Sequence, residues 1–221
     1  MFIASPVLAE ISGEIELKSD DRFRGRSLSI GLPVIDVDIS VDTAVGIYAG
    51  GSVTGILGSN DRAGLQGVDG YVGYAKRIDD NVTIDMGIAG YVFTQRYSGG
   101  KDDFYGEVYA GVSSGNFAAY VHYTPNYFDK SVPVLYTDLS MAKPLGSDFI
   151  LKAHAGLLMQ TSGIARLGGK RIRYDTRIAL SRPVLGLNAE LAWTFAGPED
   201  RYFDGPWDGR SAVVFSLSKH F

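Results

Sequence analysis

His122, Asp138 and His154 are the residues of this 221-residue chain whose types first suggest chemistry. Two imidazoles and a carboxylate can ligate a divalent metal. Ser140, two places after Asp138, adds a hydroxyl that a histidine base could activate. A second constellation is basic: Arg171, Arg173 and Arg177 share one parity, and Lys152 precedes them. A third is acidic: Glu14, Glu16, Asp36 and Asp38. Arg22, Arg24 and Arg26 have the charge to meet lipopolysaccharide phosphate or ring a pore mouth, and are expected to form a solvated surface cluster. The absence of Cys excludes thiolate metal sites and a disulfide framework. No GxSxG, P-loop or HExxH segment accompanies the polar groups.

What these residues do depends on the elements that carry them. Glycine numbers 28, about double the usual share near 7%, which weighs against helices. No apolar run of about 18 residues exists, so no spanning helix is predicted. The net charge of −4 gives no case for nucleic acid. Period-2 alternation of apolar and polar residues recurs along the chain and predicts strands. They run over 11–20, 29–41, 45–57, 68–77, 83–95, 103–112, 117–123, 134–143, 149–160 and 171–183, from 187 to about 195, and over 211–221. In the last, Val213, Phe215, Leu217 and Phe221 oppose Ala212, Ser216, Ser218 and His220.

The count is about twelve strands. Short turns near Thr43, Asp80, Gly115, Gly146 and Gly186 alternate with longer polar loops. A hairpin therefore recurs roughly every 35 residues, the spacing of a transmembrane barrel with its long connections at one end. One face of each strand is apolar, Gly or Ala. The other carries Glu14, Glu16, Asp36, Asp38, Glu107, His122, Asp138, Lys152, His154, Arg171, Arg173, Asp175, Arg177 and Glu190. So many ions cannot share a dry core unpaired, so the charged face is assigned inward, as a pore lining, and the oily face to lipid. Tyr74, Phe117, Phe149 and Phe221 fall at the short-turn ends, and Phe104, Tyr123 and Phe195 at the loop ends, as two interfacial girdles. The fold expected is all-β, a transmembrane antiparallel up-and-down β-barrel.

Ser19-Asp20-Asp21-Arg22-Phe23-Arg24-Gly25-Arg26-Ser27, followed by Gly46-Ile47-Tyr48-Ala49-Gly50, resembles the TorF porin family, whose members carry an S-D-Y-x-F-R-G-x-S segment and then a G-F-Y-A-G-like strand. Asp21 stands where the aromatic is usual. The resemblance implies an outer-membrane barrel in a Gram-negative bacterium. The C-terminal strand, ending on Phe221, resembles the signal that the barrel-assembly machinery reads. Residues 1–9 read as a signal-peptide remnant, and 10–221 as one barrel domain.

The function expected is a passive porin for small hydrophilic solutes or ions, with outer-membrane lipid and lipopolysaccharide as surroundings and no catalytic residue, cofactor or metal assigned. The His/Asp group is then polar lining. Basic and acidic walls facing each other would orient solutes and screen ions by sign; the plainer expectation is that the charges pair and fill the bore. A non-conducting structural or surface-binding barrel, and further behind a lipid-modifying enzyme, are the alternatives.

Overall fold

Alternating side chains commit each segment to a strand with one oily and one polar face, and such strands hide their backbone polar groups from lipid only by closing on themselves. The computed structural model describes residues 10–58, 63–94, 103–127, 132–163, 170–198 and 211–221. The segment 1–9, read as a signal remnant, lies outside the described residues, as do most residues of the longer predicted loops.

The elements are β1 (Glu10–Lys18), β2 (Arg22–Phe23), β3 (Arg26–Ser27), β4 (Val34–Asp42), β5 (Ile47–Ile56), β6 (Gly64–Arg77), β7 (Val82–Phe93), β8 (Asp103–Ser114), β9 (Phe117–Thr124), β10 (Val134–Gly146), β11 (Phe149–Gln160), β12 (Ile172–Val184), β13 (Leu187–Gly197) and β14 (Ser211–His220). Twelve of them form one closed antiparallel barrel in the order β1-β14-β13-β12-β11-β10-β9-β8-β7-β6-β5-β4, while β2 and β3 pair apart. The barrel is the fold expected from the sequence. Each barrel strand pairs with its sequence neighbour, and β1 meets β14 with Leu17 opposite Leu217. Beyond that ladder, Gly13 and Phe221 exchange two backbone hydrogen bonds at 2.9 and 3.0 Å.

Short turns and long connections alternate all the way round, the first connection (19–33) included. The turn after β10 places Ser147 and Asp148 at φ 49° and 63°, and the turn after β12 places Leu185 and Gly186 at 52° and 80°. Positive φ at both central residues marks type I′ hairpins, whose twist matches that of the strands.

The oily face points outward. Ile39, Ile88, Ile178, Leu191 and Phe215 are exposed, and only hydrocarbon makes such a surface favourable. At the loop end Tyr174, Phe195 and Trp193 form a row of rings, with Phe195 about 6 Å from each neighbour. Inside, the wall is uneven. Ala179, Ala192 and Val214 keep β12–β14 thin. Tyrosines cover β5–β9; Tyr120 lies so flat across Gly111 that a Cβ there would sit 2.3 Å from its ring. At the loop end the barrel holds an apolar core, built from the inward Phe93, Tyr105, Val134, Tyr136 and Leu158 with Leu28, Tyr127 and Val132 from the connections. The sequence pointed to polar groups filling the bore; an apolar core at the loop end was not among its expectations.

Candidate functional site

The first connection folds into the barrel. Arg24 and Gly25 form the two-residue turn between β2 and β3, both at positive φ (49° and 75°). A Cβ on Gly25 would meet Asp175 Cβ at 2.8 Å and Ala196 Cβ at 2.7 Å, so the tip rests on the inner wall of β12 and β13. Asp20 ties the hairpin at its base: its carboxylate accepts from Ser27 Oγ (2.5 Å), Ser29 Oγ (2.9 Å) and Arg22 Nε (2.6 Å). Ser19 fastens the segment to the last strand, its Oγ accepting from the Phe215 amide at 3.0 Å. The Ser-Asp-x-x-Phe-Arg-Gly-x-Ser segment is therefore an inward plug in which the serines, aspartate and glycine have separate structural duties.

Arg24 is not solvated, and neither is its cluster. Its guanidinium donates to Glu107 at 2.6 Å and to Tyr105 Oη at 2.9 Å. It also lies 4.1 Å from the Tyr136 ring centre, with Phe23, Tyr105 and Tyr127 within 6 Å. Arg22 pairs with Asp20, and Arg26 donates to the Pro198 carbonyl at 2.5 Å. The solvated cluster expected from the sequence is overturned because a two-residue hairpin carries all three side chains over the lumen, where carboxylates and ring faces replace water.

From Glu107 a hydrogen-bonded chain runs along the wall. His122 Nδ1 is 2.9 Å from Glu107, and its Nε2 is 3.2 Å from Asp138. His154 Nδ1 is 3.2 Å from Ser140 Oγ, and its Nε2 is 3.0 Å from Asp175. Tyr136 Oη bridges His154 (2.9 Å) and Asp175 (3.2 Å). His122, Asp138 and His154 are brought together as the sequence implied. Among the described residues, however, no three or more His, Cys, Asp or Glu side chains are arranged to hold a metal. Their lone pairs are turned to one another and to tyrosine hydroxyls.

Below the hairpin lies a cavity of about 800 Å³, lined by Lys18, Glu107, His122, Asp138, His154, Asp175 and Arg177 among others. A second, of about 390 Å³, shares Ala118, Ser140, His154 and Arg177 with it and reaches Gly115 and Asn116 at a short turn. The basic wall carries its own counter-charge: Lys152 meets Glu190 at 2.8 Å, and Arg177 donates to the other oxygen of the same carboxylate. Arg173 is buried and inward, whereas Arg171 precedes β12, is exposed at the loop end and donates to the Gly163 carbonyl. The acidic wall is made of direct cross-strand neighbours, Glu14 opposite Asp38 and Glu16 opposite Asp36.

Asp85 was missed in the sequence although strand phase identifies it, since Ile84 and Met86 point outward. It accepts from Tyr48 Oη at 2.5 Å and Tyr120 Oη at 2.9 Å. Arg24 lies outside the alternating segments and Asp20 at the very end of the first, so strand phase placed neither in the lumen.

The family described as "Bacterial protein of unknown function (Gcw_chp)" matches residues 3–221. No curated protein matches in sequence. Among solved structures, the chain is similar to the NanC porin (13% identity, 95% of this chain and 98% of that one, TM-score 0.60). It is also similar to the KdgM porin (11%, 95% and 98%, 0.56) and to LpxR from Salmonella typhimurium (12%, 95% and 99%, 0.50). At these identities the likeness is one of fold, that of the outer-membrane barrels.

Proposed function

The chain belongs to the Gcw_chp family, and for this member we propose an outer-membrane porin, a passive channel for small hydrophilic solutes or ions. The observation that carries the reading is the polar cavity of about 800 Å³ inside a closed, oil-faced barrel, continued by shared residues toward the short-turn end. A barrel of about twelve strands is wide enough for such a bore. The cell location is the outer membrane of a Gram-negative bacterium, with lipid and lipopolysaccharide outside the wall, and the TorF name fits the segment that builds the plug. The barrel-assembly machinery is the partner of β14 and Phe221. Ser140 and His154 line the lumen as polar groups, without a catalytic role.

Single-channel recording in a planar bilayer tests the reading: discrete conductance steps are expected. The plug and the apolar core above the cavity favour a second reading, a non-conducting barrel that presents its loops to a partner. Liposome swelling separates the two, since only a channel lets sugars or amino acids through. Silence in both assays would leave the second.

A further inference from the structure

From the way charge is spent in the lumen we infer that the channel selects cations, small organic ammonium ions included, over anions. The inference rests on the porin reading and names the solute class for that same cavity. Seven carboxylates line the cavity against four basic side chains. Each of the four is held by a carboxylate: Lys18 by Asp21 at 3.0 Å, Arg22 by Asp20 and Arg24 by Glu107 at 2.6 Å each, and Arg177 by Glu190. Among the described residues, Asp85, Asp138 and Asp175 have only tyrosine, serine and histidine partners. Among the described residues, three carboxylates on β7, β10 and β12 therefore face the space without a lysine or arginine partner.

Two further observations point to a positively charged occupant. Glu14 and Asp38, and Glu16 and Asp36, stand directly opposite across β1 and β4. Like charges so placed destabilise a ladder, and a passing cation relieves them. Six tyrosines also line the cavity, and their ring faces attract ammonium groups. The chain's own Arg24 shows this chemistry inside the same barrel, its guanidinium set between Glu107 and four aromatic rings.

The test is the reversal potential of the full-length protein in a planar bilayer under a KCl gradient, then with KCl opposed to ethanolammonium chloride. The expected result is a reversal toward the potassium potential, with ethanolammonium carrying current. The Asp138→Asn/Asp175→Asn double variant, confirmed folded by its heat-modifiable gel mobility, lowers the cation preference about fivefold, the scale of two charges acting through a wet pore. A reversal at zero or toward chloride, an impermeant ethanolammonium, or an unchanged preference in the double variant overturns the inference. Complete absence of current instead refutes the porin reading, and the solute class falls with it.

Discussion

The guanidinium of Arg24 and the carboxylate of Glu107 meet at 2.6 Å inside the barrel, 83 residues apart in sequence. Both side chains are almost wholly removed from solvent. The contact joins a plug that takes no part in the barrel ladder to a wall strand that does. A buried pair of this kind is costly to break from one side, because the remaining charge stays where water does not reach it.

Replacing Arg24 by Ala is therefore expected to cost about 3–5 kcal/mol of hairpin docking while leaving the twelve-strand ladder closed. Conductance should rise, and trypsin should cut after Arg22 in folded protein. Unchanged conductance together with unchanged protease resistance would count against the plug.

Gly111 is expected to tolerate no side chain while Tyr120 lies over it. Every heavy atom that would crowd its Cβ most closely belongs to that ring. Gly111→Ala should destabilise the barrel by about 1–3 kcal/mol, the usual cost of overpacking. In a Tyr120→Ala background most of that loss should vanish. Urea unfolding from lipid vesicles measures both.

The lipid-facing assignment predicts a dependence on depth. Leu191, outward in the middle of β13, and Leu185, at the tip of a short turn, are both exposed. Leu191→Arg should cost about 2–4 kcal/mol and Leu185→Arg about 0–1. Equal costs by the same unfolding assay would refute the assignment.

Much of this architecture was legible because alternation is local. The bounds of β11, 149 to 160, follow directly from its pattern, and Arg177 inward beside Ile178 outward is a consequence of phase alone. Cross-barrel partnership is not local. That Lys152 and Arg177 converge on Glu190 depends on register across three strands. The plug was illegible for a different reason: β2 and β3 are two residues each, shorter than any periodicity, and three arginines in nine residues suggest exposure until a partner such as Glu107 is known. Tyr91 and Phe93 read as ordinary strand aromatics, yet they belong with an interior core against which Phe23 of the plug also packs.

The seam between β1 and β14 also sets an order of events. Gly13 waits for Phe221, which lies far along the chain from it. Until that meeting the ribbon has two bare margins of amide and carbonyl groups, each able to recruit a stray strand. Closure between strands so distant in sequence is intrinsically slow. The interval before it is when the growing wall most requires an escort.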